Sequence, residues 1–118
     1  MNANEIITTN FQNFTVDGAA VPVAFLNYDG SENAYVVFME TDKDPRLNSD
    51  DELNYYLSYY DFDIYTKGNY KKIAKELKTR LENIGFTWQP NRDSEDMYET
   101  ETGLYHKTLC FSIVNYND

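Results

Sequence analysis

The chain has 118 residues, of which 20 are acidic and 10 basic, so its formal net charge is −10. This length suits one hydrophobic core, and we expect a single domain over residues 1–118. No apolar stretch approaches the roughly 18 residues of a membrane-spanning helix, and we expect no secretory signal. The charge disfavours ordinary binding to nucleic acid or anionic lipid. Cys110 is the only cysteine, which favours a reducing, cytoplasmic origin.

The N-terminal third predicts a short helix followed by two strands. Apolar residues recur there at near-helical spacing, namely Ile6, Ile7, Phe11 and Phe14. This spacing indicates a short amphipathic helix or a docking arm. Residues 21–26 form an apolar run in which Pro22 favours an edge strand, and residues 34–40 form a second strand. Because turn-forming residues separate the two runs, we expect them to pair as a hairpin with a long loop.

Residues 41–53 are polar and are interrupted by Pro45, so we expect an exposed loop. Its acidic residues are Asp42, Asp44, Asp50, Asp51 and Glu52. A calcium-binding EF-hand loop that begins at Asp42 needs glycine at its sixth position and glutamate at its twelfth. The chain has Leu47 and Leu53 there. The sequence therefore favours a solvated acidic loop over a metal site.

The middle of the chain predicts a strand and then the main helix. In residues 54–65 the even positions are almost wholly apolar, whereas Asp61 and Asp63 occupy the other face, so we expect the even face to be buried. Residues 69–84 place apolar side chains along one face of a helix. Asn69 is positioned to cap its N-terminus, and Gly85 stands where a left-handed residue ends many helices.

The C-terminal third predicts two more strands around a second acidic loop. Residues 86–90 form a short strand, residues 91–96 the loop, and residues 99–114 a last strand bent near Gly103. The element order is β-β-β-α-β-β with a possible leading helix. We therefore predict an α+β fold in which a mostly antiparallel sheet packs against one main helix.

Carboxylates recur at alternate positions of two predicted strands, as Asp61 with Asp63 and as Glu99 with Glu101. Metal-dependent nucleases hold Mg²⁺ with such pairs and often place a lysine nearby, a role that Lys107 could fill. No tight motif joins these residues, however, and the alternation of a solvated strand face accounts for them. We expect no catalytic site, metal or cofactor.

His106 and Cys110 do not form a catalytic dyad. They lie four residues apart on one predicted strand, which separates them by about 13 Å. We expect Cys110 to be buried and His106 to take part in a hydrogen bond or an interface.

Eleven tyrosines are more than a small core encloses with every hydroxyl satisfied. We predict that part of this aromatic surface is an interface, formed by Tyr55, Tyr56, Tyr59, Tyr60, Tyr105 and His106. The alternative is that the N-terminal segment partly covers the second face of the sheet.

Three segments resemble one protein family. They are Val21-Pro-Val-Ala-Phe, Asp63-Ile-Tyr-Thr-Lys-Gly-Asn-Tyr70 and Tyr98-Glu-Thr-Glu-Thr-Gly-Leu-Tyr-His-Lys107. In order, spacing and length they resemble the tail-completion, or tail-terminator, proteins of long-tailed phages and prophages of Gram-positive bacteria.

The resemblance implies a structural subunit that forms a ring, usually a hexamer, on the tail tube. Such a ring stops tube growth and offers the surface to which the filled head attaches. The implied partners are further copies of the chain, the tail-tube protein and a head-completion or connector protein. Genomic DNA passes through the lumen without specific binding. The implied location is the tail top, or neck, of the virion, after assembly in the host cytoplasm.

Two other functions fit parts of the sequence. The net charge also suits an acidic inhibitor that mimics nucleic acid and blocks a DNA-binding protein. A small metal-dependent hydrolase would use Asp61, Asp63 and Glu101.

Overall fold

A computed structural model describes residues 2–47 and 53–116. The described residues form two α-helices, eight β-strands and one turn of 3-10 helix at residues 90–92, which confirms the predicted α+β class. The helices are α1 (Ala3–Asn10) and α2 (Tyr70–Asn83). The strands are β1 (Thr15–Val16), β2 (Ala19–Ala20), β3 (Val23–Phe25), β4 (Ala34–Leu47), β5 (Leu53–Thr66), β6 (Thr87–Trp88), β7 (Met97–Glu99) and β8 (Leu104–Tyr116).

The main sheet has the strand order β3-β4-β5-β8-β6, and β7 also pairs with β8. Its centre is the antiparallel set β4, β5 and β8, whose long strands run side by side. Strands β1 and β2 form a separate two-stranded ladder. Both sides of β5 are therefore paired along most of its length.

The predicted hairpin between the first two main strands is wrong, because β3 runs parallel to β4 with Phe25 opposite Phe38. Before β4 starts, the chain must return about 13 Å along the sheet, and residues 26–33 are long enough to do so. Leu26 begins this return at a φ of 65°, and its amide donates to the Phe38 carbonyl. The edge position expected from Pro22 is confirmed.

The loop predicted for residues 41–53 is wrong over residues 41–47, where β4 continues opposite β5 after a bulge between Glu40 and Asp42. Pro45 fits because, in the described chain, no strand pairs with the outer edge of β4 at this point. A proline costs no ladder hydrogen bond on such an edge. The cross-strand partners of this segment on β5 include Tyr55, Tyr56 and Tyr59. A sequence window that does not include these partners predicts a loop for this half of the hairpin.

The acidic residues of that segment differ in their exposure to solvent. Asp42 is exposed, and Asp44 is half-buried. Asp50, Asp51 and Glu52 lie outside the described residues.

The predicted last strand is two strands, β7 and β8, joined by a turn at residues 100–103. Gly103 has a φ of 72°, and its amide donates to the Glu99 carbonyl at 2.8 Å. This left-handed residue reverses the chain instead of bending it.

Helix α2 packs on the even-numbered face of β5, as predicted, with Phe62, Ile64 and Leu77 fully buried. Asn69 caps the helix by accepting from the Lys71 amide, and Gly85 follows it at a φ of 104°. We call this side of the sheet the core face and the opposite side the open face.

Helix α1 packs beside α2 on the core face, where Ile7 is fully buried. Asn4 also accepts a hydrogen bond from the Tyr60 hydroxyl at 2.7 Å. The alternative in which the N-terminal segment covers the second face of the sheet is therefore wrong.

The sheet extends well beyond its helices. Strands β4 and β5 have 14 residues each and span about 46 Å, whereas the 14 residues of α2 span about 21 Å. The molecule measures 52 × 27 × 23 Å, and its radius of gyration is 15.4 Å. A compact domain of this length has a radius of gyration of about 13.5 Å. We call the far end of the sheet the arm: β4 from Glu40, β5 up to Tyr59, and β8 from Ser112.

Candidate interaction surfaces

The arm carries apolar side chains that neither helix covers. Leu57 and Val114 lie opposite each other on its open face, and Val114 is 41% exposed. Tyr56 lies on the other face, half-buried, with the Lys43 ammonium 5.2 Å from its ring centre. The predicted interface residues Tyr55 and Tyr56 both lie on this arm. It is a three-stranded extension that leaves Val114 exposed, and exposed apolar side chains beside a free strand edge are typical of segments that a partner covers.

Two other predicted interface residues are not available to a partner. Tyr60 is 4% exposed and sits in the core beside α1, and Tyr59 is 7% exposed. Tyr59 is covered on the open face by Arg92, whose guanidinium lies 3.7 Å from the ring centre. The expectation that these two rings remain exposed is therefore wrong.

Aromatic rings form a row across the open face at the end opposite the arm. Tyr28, Tyr35, Tyr65 and His106 follow one another, with neighbouring ring centres 4.8, 4.9 and 4.1 Å apart. Burial raises the pKa of Tyr65 to about 12, with Asp63 and Glu99 adding to the effect. The hydroxyl of Tyr65 therefore stays protonated at physiological pH.

His106 lies between two carboxylates at the end of this row. Its Nε2 is 3.6 Å from Asp63 Oδ1, and its Nδ1 is 3.8 Å from Glu99 Oε2. Nε2 is buried and has no hydrogen-bond partner among the described residues. Thr108 donates to the same Asp63 oxygen at 2.5 Å, which holds that carboxylate in place. The imidazole is thus fixed by stacking on Tyr65 rather than by a short hydrogen bond.

The carboxylates considered for metal-dependent hydrolysis are not brought into one site. Lys107 points to the core face, where it donates to the Ser94 carbonyl and pairs with Asp96 at 3.2 Å. Glu101 lies in the turn between β7 and β8. Over residues 2–47 and 53–116, no three His, Cys, Asp or Glu side chains are placed to hold a metal ion. The set of Asp61, Asp63 and Glu101 therefore has no geometric support.

Asp61 and Cys110 face each other across β5 and β8 on the open face, and Cys110 is buried as expected. Burial raises the pKa of Asp61, and the neighbouring Asp63 raises it further. Burial also raises the pKa of the Cys110 thiol to about 11, with Asp61 contributing. A thiol with so high a pKa is a poor nucleophile at neutral pH.

A cavity of about 550 Å³, which we call the lysine groove, lies between α2 and the β6–β8 edge. Its charged lining residues are four lysines, Lys71, Lys75, Lys78 and Lys107, and two acids, Glu82 and Asp93. The Lys78 ammonium lies 3.6 Å from the ring centre of Trp88, and the Trp88 indole N–H donates to Asp93. Trp88 is nevertheless 36% exposed. Helix α2 has five basic and two acidic residues, so it carries +3 in a chain of −10.

The turn between β7 and β8 carries exposed tyrosines and carboxylates, in contrast to the lysines of the groove. Tyr98 and Tyr105 are 54% and 47% exposed, and their ring centres are 4.9 Å apart. Glu99 and Glu101 flank them, and Glu101 is exposed. We call these four residues the turn end. It contains the predicted interface residue Tyr105 and lies beside His106, at the opposite end of the sheet from the arm.

Sequence reasoning missed the lysine groove and the cover that Arg92 provides. The lysines at positions 71, 75 and 78 recur at i, i+4 and i+7, a spacing that places them on one helix face. This spacing alone predicts a cationic helix face. The position of Arg92 depends on a loop crossing the sheet, for which no local pattern exists.

A scan against protein-family models finds no matching family, and no curated protein matches the chain. Within the described part of the chain, no helix is both long and apolar enough to cross a membrane.

Proposed function

We propose that this chain is a structural subunit of a phage tail that assembles into a ring, caps the tail tube and provides the surface for head attachment. The proposal joins the resemblance of three segments to tail-terminator proteins with one structural observation. That observation is the arm, an extension of the sheet on which Val114 is exposed and Tyr56 and Leu57 are only half-buried.

The arm supports assembly because its exposure is costly for an isolated subunit. Val114 is 41% exposed, and its neighbours Tyr56 and Leu57 are only half-buried. The outer edge of β4 also has unpaired backbone groups there, since the parallel pairing with β3 ends at Phe38. Covering such a surface with neighbouring subunits removes apolar area from water and pairs the free edge.

The distribution of charge supports the same proposal over binding of nucleic acid. Outside α2 the chain carries a formal charge of −13, which repels a phosphate backbone. A ring with this composition lets DNA pass without holding it.

The decisive experiment combines the purified chain with a phage tail-tube protein. Light scattering and electron microscopy should detect a ring, either at high concentration or at the end of a tube, and added chain should shorten the tubes that form. The variant Tyr56→Ser/Leu57→Ser should lose this effect while keeping its fold. Leu26→Ser, which removes a 58% exposed side chain just after β3 and outside the arm, is the matched control.

Two results would contradict the proposal or replace it. A chain that stays monomeric with and without the tube protein, and leaves tube length unchanged, contradicts the proposal. If that monomer binds a basic DNA-binding protein with steep salt dependence, the acidic-mimic function replaces it.

A further inference from the structure

We propose that the lysine groove of one copy binds the turn end of a second copy. The inference rests on the proposed function, because it names a contact through which the subunits associate. Its test is nevertheless separate, since assembly can occur through the arm alone.

The groove has the chemistry of a binding site for an acidic aromatic surface. Lys75 and Lys78 project from the exposed side of α2, and no ion pair engages either of them within residues 2–47 and 53–116. Trp88 offers a ring with one side under Lys78 and a third of its surface exposed. Exposed tryptophan beside unpaired cations is a composition enriched in binding hot spots.

The turn end offers matching groups around one hairpin: Tyr98 and Tyr105 lie on its core face, whereas Glu99 lies on its open face beside His106. Tyr98 and Tyr105 supply two adjacent rings for contact with Trp88, and Glu99 and Glu101 supply carboxylates for the lysines. Rigid aromatic residues gain contact area at low entropic cost. The two surfaces are therefore complementary in both their apolar and their charged parts.

The occupant is a second copy because the molecule cannot fill its own groove. Tyr98 is held opposite Tyr105 by the β7–β8 ladder. The chain just before it is held by Asp96, which accepts from the Tyr70 hydroxyl at 2.8 Å and pairs with Lys107. The turn end consequently stays at its end of the sheet and reaches only a neighbouring molecule.

Charge also selects this contact among the possible ones between copies. Two chains of −10 repel each other at most orientations, and approach is favourable where a positive surface meets a negative one. Helix α2 is the strongest concentration of positive charge along the sequence. A groove that binds a different surface on the next copy makes a head-to-tail contact, the kind that closes into rings.

The test is a charge swap read by sedimentation velocity on the full chain. Lys75→Glu/Lys78→Glu and, separately, Glu99→Lys/Glu101→Lys should each raise the dissociation constant for self-association at least about tenfold. The quadruple variant, whose net charge returns to −10, should restore association to near the natural level. Lys72→Glu reverses a charge on α2 outside both the groove and the arm and should leave association unaltered.

Folding is checked independently, since Glu99 also accepts a hydrogen bond from Thr102. If the Glu99→Lys/Glu101→Lys variant is unfolded by circular dichroism, Tyr98→Ser serves in its place and should weaken association by a similar factor. That side chain is 54% exposed, so its loss spares the core.

Three outcomes overturn the inference. If the natural chain assembles and both double variants assemble equally well, the contact is wrong while the proposed function stands. If both double variants lose self-association and the quadruple variant does not regain it, the two surfaces do not contact each other. If the natural chain instead binds a single-stranded oligonucleotide and Lys75→Glu/Lys78→Glu abolishes that binding, the groove is a nucleic-acid surface.

Discussion

Arg92 lies flat against Tyr59, with its guanidinium 3.7 Å from the ring centre and 3.5 Å from the Asp42 carboxylate. One side chain from the loop after β6 thus reaches across β8 and β5 to β4. This contact buries a tyrosine that the strand pattern leaves on an uncovered face.

Arg92→Ala should lower the free energy of unfolding by about 1–2 kcal/mol, because it removes the cation over Tyr59 and exposes that ring. Chemical denaturation followed by circular dichroism measures the change. Arg92→Lys keeps the charge but not the planar group, so an intermediate value is expected. Equal stability of all three proteins would show that the stacking contributes nothing.

Tyr60→Phe should cost about 1 kcal/mol, since it leaves the Asn4 side chain without its partner at 2.7 Å. Asn4→Ala tests the same bond from the other side, and the double variant gives the coupling energy. Tyr98→Phe, at an exposed ring, is the control and should change nothing. A coupling energy of zero would indicate that α1 is held by its apolar side chains alone.

Asp61→Asn should stabilise the protein at pH 7, by up to about 1 kcal/mol. Burial and Asp63 raise the pKa of Asp61, so the folded state binds its proton more tightly than the unfolded state does. Ionised Asp61 therefore costs stability above its folded pKa, and this cost disappears as the pH falls towards the ordinary carboxyl value of 3.8.

Denaturation curves at pH 7, 5.5 and 4 give the measurement for Asp61. The advantage of Asp61→Asn should be largest at pH 7 and smallest at pH 4, and exposed Asp29→Asn should show no such change. A variant that is less stable by the same amount throughout would mean that the carboxylate is needed for its contacts and not penalised for its charge.

Cys110 should react with a disulfide reagent at pH 8 at least about 100-fold more slowly in the folded protein than in denaturant. Its side chain is 1% exposed, and its pKa of about 11 leaves very little thiolate. Absorbance of the released thiol reports the rate, and Cys110→Ala supplies the background. Rapid reaction of the folded chain would require frequent opening of the loop that carries Arg92.

Local pattern predicted the elements that carry their own signal. The apolar period of residues 69–84, with Asn69 before it and Gly85 after it, defined α2 to within a residue. The alternation of residues 54–65 correctly placed Phe62 and Ile64 in the core. These two predictions are correct because the apolar face of a helix and the buried face of a strand are both defined by residues only a few positions apart.

The pairing of the strands was not predicted correctly from the sequence. The direction of β3, the continuation of β4 past Pro45 and the separation of β7 from β8 all depend on which strand lies alongside. Hydrogen bonds between strands join residues that are distant in the chain. A turn-rich composition alone does not determine whether the neighbouring strand runs parallel or antiparallel.

The amino-acid sequence by itself determined the α+β class, the main helix, the buried face of β5 and the negative charge, because each follows from composition or from short-range periodicity. The tertiary structure alone decided which aromatic rings are covered, through α1 for Tyr60 and through Arg92 for Tyr59. It also gathered the lysines and Trp88 into one groove and left Val114 on the arm exposed. Burial is a property of what packs against a residue, and that is fixed only when distant segments meet.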